Sequence, residues 1–175
     1  MSNTWSIFGA AQAKKQTYQN ITSSATATQR SGHNVKLKLG TSHVLDPTQR
    51  IRVNFERTRN SAARRFHSYD RHELSATHTL LFGSGAFLLS ALTLTHDGYD
   101  GNDPTISPQT RKDKSARARV TYGVPLETLA DETPDLLKGV TLTLSAEAYR
   151  QVSNMTNFTY NNYRLSVGVN RRWEF

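Results

Sequence analysis

A strict alternation of apolar and polar residues, renewed eight times along the chain, constrains this sequence more than any other feature. In its last stretch Tyr163, Leu165, Val167 and Val169 alternate with Asn162, Arg164, Ser166, Gly168 and Asn170. Successive side chains of a strand point to opposite faces, so a period of two gives one apolar and one polar face. The same rhythm carries Val140, Leu142 and Leu144, then Ala118 and Val120, Leu92 and Leu94, and Leu74 and Leu80. Further upstream it carries Ile51 and Val53, Val35 and Leu37, and Trp5 and Ile7. Eight strands are expected.

The connections alternate too. Asp46-Pro47-Thr48 and Gly83-Ser84-Gly85 are tight-turn chemistries, whereas residues 16–32, 60–70, 98–114 and 153–159 are longer and polar. Short turns at one rim and long loops at the other form the hairpin layout of outer-membrane barrels. The segment Leu126 to Lys138 breaks the rule. It lies on the short-turn rim, yet Leu129, Leu136 and Leu137 give it an apolar side. A short helix is expected there, with Pro134 at its break or restart. Packed as a cap it would bury those leucines; left open it would dock a periplasmic partner.

At 175 residues one domain, 1–175, is the default. No run approaches the roughly 20 apolar residues that a spanning helix needs, which leaves spanning strands open. The chain has no cysteine, so disulfide and thiolate-metal frameworks are excluded. Met1-Ser2-Asn3-Thr4-Trp5 lacks the basic and apolar regions of a signal peptide, and the expectation is a mature chain or a fragment.

Alternation also describes soluble barrels of the lipocalin kind, whose apolar face points inward. Three features favour lipid outside. Aromatic residues gather toward strand ends, with Trp5, Phe82, Tyr122, Trp173 and Phe175 at one and Phe55, Tyr99, Tyr160 and Tyr163 toward the other. Two such girdles fit two water–lipid interfaces. The polar face mixes small residues with Lys36, Lys38, Arg52, Glu56, Glu73, Arg117, Arg119, Glu147, Arg164 and Arg172. Inside a narrow barrel these charges would pair into a network that blocks the lumen. The chain also stops on an aromatic residue of its last strand, in Val167-Gly168-Val169-Asn170-Arg171-Arg172-Trp173-Glu174-Phe175.

That ending resembles the C-terminal signal of Gram-negative outer-membrane proteins, which implies the barrel-assembly machinery as a partner during insertion. The size resembles the small OmpA- and OmpX-type barrels. Ser153-Asn154, Phe158-Thr159-Tyr160 and the Gly168-to-Phe175 ending are similar to the last hairpin of barrels that follow periplasmic tetratricopeptide domains, including the surface lipoprotein assembly modifier (Slam) family. The expected fold is thus all-β, a closed antiparallel eight-stranded transmembrane β-barrel with short periplasmic turns and long extracellular loops, in the bacterial outer membrane. The expected role is structural or surface-interacting with a largely blocked polar lumen. The alternatives are the barrel portion of a porin-like pore or Slam-like export component, and a lipid A-modifying enzyme.

Catalysis has little to build on. Ser42-His43 and His67-Ser68 are the nearest Ser–His pairs, and Ser42 and His43 would face opposite sides of a strand. No catalytic residue, cofactor or metal is expected. His67, Asp70, His72 and Glu73 fit no zinc spacing, and Asp97, Asp100, Asn102 and Asp103 read more simply as a turn-rich loop than as a calcium loop. The formal net charge of +8 is more telling. Arg57, Arg59, Arg64, Arg65, Arg111 and Lys112 lie on or near the long-loop rim, where lipopolysaccharide phosphates would be the neighbouring anions. No nucleic-acid recognition module accompanies the charge, so no nucleic acid is expected as a partner.

Overall fold

The computed structural model describes residues 4–20, 26–129, 134 and 137–171. Its eight strands are β1 (Thr4–Gln16), β2 (Gly32–Asp46), β3 (Gln49–Ala62), β4 (Tyr69–Leu81), β5 (Phe87–Tyr99), β6 (Lys112–Pro125), β7 (Val140–Ser153) and β8 (Tyr160–Arg171). Each pairs antiparallel with the next in one sheet of order β1 to β8. The strands hold 12 to 15 residues, which is about 40 to 50 Å of extended chain at roughly 3.3 Å per residue.

Register is continuous except for a shift between Val44 and Asp46. There Asp46 Oδ1 accepts the backbone N–H of Thr48 at 2.8 Å and the Thr48 hydroxyl at 2.6 Å, closing the two-residue turn. The β4–β5 turn closes through Gly85, whose φ of 82° is open to glycine at no steric cost.

The sheet curls around its polar face. A single sheet has no second layer to bury it, yet Asn54, Thr58, Asp97, Asp113, Thr121 and Ser145 are all buried, and register places all of them on one face. The buried apolar residues are only Ala86, Val124 and Val140 among the described residues. Leu37, Val53, Leu92, Val120, Leu144 and Val167 share the other face and are all exposed. This inverts the usual distribution of a soluble core.

Glycines make room on the inner face where rings lie across the sheet. A Cβ on Gly40 would sit 2.3 Å from Phe8 Cζ, and one on Gly123 would sit 2.2 Å from Phe87 Cε1. Gly40→Ala should therefore cost about 1 to 3 kcal/mol by overpacking. A urea-unfolding midpoint unchanged by the substitution would show that Phe8 is free to move away.

The expected closure is not there. Among the described residues no ladder joins β1 to β8, and the sheet is not closed. On β8 the inner residues Asn162, Arg164, Ser166 and Asn170 are exposed, as the outer ones are, and Leu165 is 80% exposed. Eight closed strands enclose an interior just wide enough for side chains to fill it, so these side chains would then be covered. Pairing between neighbours follows from local turns, but the curvature that brings the first strand to the last does not.

The segment Leu126 to Lys138 begins with a three-residue 3₁₀ turn, Leu126–Thr128, not a longer helix. The Glu127 carboxylate accepts the backbone N–H of Gly139 and ties the two ends of the connection. Leu129 and Leu137 are exposed and do not pack as a cap. The part of the helix expected within Leu126 to Lys138 that falls on residues 130–133, 135 and 136 lies outside the described residues.

Candidate functional site

Period-two geometry sorts the candidate charges onto the inner face. Lys36, Lys38, Arg52, Glu56, Glu73, Arg117, Arg119, Glu147 and Arg164 share the face of buried Asn54 and Asp97. Arg172 lies outside the described residues, as do Trp173 and Phe175.

The tightest pairing lies toward the long-loop end, in residues outside those nine. Arg71 donates through Nε to Asp97 Oδ1 at 2.7 Å and through Nη2 to Oδ2 at 2.6 Å, a bidentate fork. Asp97 stands opposite Asp113, and Asp113 is in turn held by Arg111 at 2.5 Å. Lys36 reaches Glu56 at 2.7 Å, and Arg117 approaches Glu147 at 3.9 Å. Arg52 lies over the Phe8 ring, with 5.4 Å to its centroid. No ion pair joins Lys38, Arg52, Arg119 or Arg164 to a described acid, and Arg52, Arg117, Arg119 and Arg164 are exposed. The network is thus a partial ladder on an open inner wall.

At the long-loop mouth the inner face opens into a vestibule of about 640 Å³ bordered by Tyr18, Phe66, Tyr69, Tyr99 and Phe158. Arg111 is its organising cation, 4.7 Å from the Tyr99 ring centroid and 3.7 Å from that of Phe158. Arg59 pairs with Asp100, and Arg57 with Asp70 at 2.6 Å. Arg64, Arg65 and Lys112 are exposed and pair with no described acid. The six rim cations therefore divide into three that are held by acids and three that face solvent.

Aromatic placement is less symmetric than two girdles. Trp5 stacks on His43 at 4.0 Å, and Phe82 meets Tyr122 at 6.3 Å, all toward the short-turn rim. Phe55 sits mid-strand, and Tyr163 shares a row with Leu92 and Val53. Tyr99 and Tyr160 lie on the inner face, with Tyr160 5.6 Å from Tyr149. The outer face near the long loops carries basic residues in their place.

The weaker clusters separate. Glu73 points inward while Asp70 and His72 point outward, and His67 packs against Phe66 with ring centroids 4.4 Å apart. Asp97 is taken by Arg71, Asp100 by Arg59, and Asp103 by the Thr105 hydroxyl at 2.6 Å. Ser42 and His43 face opposite sides of β2, and buried Ser68 uses its hydroxyl to accept the Ala62 N–H at 2.8 Å. Burial in the loop and the nearby Arg30 charge hold the His67 imidazole below its ordinary pKa of 6.5. Its neutral form is favoured in the folded loop, so loop stability should be full above pH 6.5 and fall as pH drops below that value. A proton NMR titration that puts the His67 midpoint at or above 6.5 would contradict this.

Two features escaped the sequence: the inward rings of Phe8 and Phe87, and an outward basic row on β3 to β7. The ring directions follow from residue parity alone, whereas the row needs cross-strand register, which depends on turn geometry. Compared with protein-family models, with curated proteins and with solved structures, the chain matches none.

Proposed function

We propose that the chain forms eight consecutive wall strands of a bacterial outer-membrane β-barrel that closes with more than eight strands, a non-enzymatic pore or export component. The observation that carries the reading is an open sheet whose exposed face is apolar and whose curled face is polar. In hydrocarbon each unpaired backbone group costs several kcal/mol, so an inserted sheet cannot keep free edges. Further strands, from a longer polypeptide or a second copy, would pair with β1 and β8. A wider ring also suits the exposed inner arginines, which a filled eight-stranded interior would have to neutralise. Lipid would cover the Leu and Val face, and the barrel-assembly machinery would insert it.

Cysteine pairs on the full polypeptide test this. Ala10→Cys would be combined in turn with Asn162→Cys, Arg164→Cys and Ser166→Cys and oxidised in membranes, alongside planar-bilayer recording. The expected result is no disulfide within one chain and a stable stepwise conductance. A β1–β8 disulfide within one chain together with silent bilayers would overturn the wider barrel, and so would a protein that stays fully protease-sensitive with lipid present.

A further inference from the structure

The outer face carries a row of basic and imidazole side chains of which a described acid engages only the Arg57–His72 end. Register sets Arg57 opposite His72, His72 opposite His96, and His96 opposite Lys114. Arg150 follows one step away on β7, opposite Ala116. Five adjacent strands thus each present a basic side chain at nearly one level. Directly opposed residues stand about 4.5 to 5.5 Å apart at Cβ, close enough for neighbouring side chains to share one ligand group.

Asp70 is the only acid that register places on the outer face of the described strands toward the long loops, and it is already engaged. Arg57 donates to both of its oxygens, at 3.1 and 2.6 Å, and His72 Nε2 lies 3.7 Å away. His96, Lys114 and Arg150 are exposed, and no described acid pairs with them.

Beneath these three residues the same face forms a groove of about 450 Å³, floored by Phe55, Leu74, Leu94, Ala116 and Val152. The site is therefore two-ended across the strands, with His96, Lys114 and Arg150 gathered on β5 to β7 and an apolar floor running from Ala116 through Leu94 and Leu74 to Phe55 on β3. A free anion would use only the first end, and an uncharged hydrophobe only the second.

We propose that this outward groove binds a phosphorylated lipid, with the phosphate against His96, Lys114 and Arg150 and an acyl chain along the Leu74–Leu94–Ala116 floor. Arginine and lysine donors suit phosphate oxygens, as a fork and as a point charge respectively. The inference rests on the reading of this face as lipid-covered. It goes further by fixing one lipid class, one rim and one set of residues, distinct from the loop cations.

Native mass spectrometry of the full polypeptide, released from vesicles of equal phosphatidic acid and phosphatidylcholine, tests it. Insertion would be followed separately by protease protection. Wild type should retain phosphatidic acid at least tenfold over phosphatidylcholine. His96→Gln/Lys114→Gln/Arg150→Gln should lower that preference below about threefold while remaining inserted. Ala116→Phe, which fills the floor and removes no charge, should lower total retained lipid. Inserted wild type with no phosphate preference, or with a preference that the triple variant keeps, overturns the site and leaves the membrane reading intact. Displacement of the lipid by millimolar inorganic phosphate alone overturns the role of the floor. Failure of wild type to insert overturns both readings.

Discussion

Leu92→Arg will destabilise the bilayer-inserted protein by about 2 to 4 kcal/mol, the cost of a basic residue at the midplane on a lipid-facing strand position. Leu92 is 46% exposed, and the apolar side chains of Val53, Ala76 and Ala118 share its row. Its uncovered part faces away from the described chain, so the surroundings set most of the cost. In water, a surface substitution of this kind changes stability by about 0.5 kcal/mol or less. The two environments thus differ severalfold in the same measurement, chemical unfolding from vesicles. Ser166→Arg, on the exposed inner face of β8 opposite Ser145, serves as the comparison and should cost less than about 1 kcal/mol. Equal small effects at both positions would refute the lipid-facing assignment.

The second large effect is expected at the inner ladder. Asp97 is 7% exposed and Asp113 is 3% exposed, and the two are directly opposed across β5 and β6. Arg71 neutralises the first through two hydrogen bonds, and Arg111 the second. Arg71→Met would leave the Asp97 carboxylate buried beside a like charge. Breaking a fully buried pair costs about 3 to 5 kcal/mol. The Arg71 side chain is 38% exposed, and solvent screening brings the expected loss to about 2 to 3 kcal/mol. Arg71→Met/Asp97→Leu should recover most of it, because no uncompensated charge then remains. If the single variant unfolds at the wild-type denaturant midpoint, the fork contributes nothing and the ladder is an arrangement of solvated side chains.

The second variant pair also bears on what the inner face is for. Below the paired ladder near the long-loop mouth, Lys38, Arg52, Arg119 and Arg164 have no ion pair with a described acid, which leaves that part of the inner wall basic.

Local chemistry is what the sequence determined by itself. Alternation at period two set the eight strands and sorted nearly every side chain to a face, because in a strand that sorting depends only on residue parity. Asp46-Pro47-Thr48 and Gly83-Ser84-Gly85 set two hairpins for the same reason, since a turn depends on a few adjacent residues. The tertiary structure decided what needs distant residues to meet. Whether β1 reaches β8 depends on curvature accumulated over eight strands, and parity carries no record of it. The basic row is also tertiary. Arg57, His72, His96 and Lys114 are scattered through the chain and become one surface only when three successive registers are fixed. A one-residue slip in any of those hairpins would have turned one strand's side chain to the other face and broken the row.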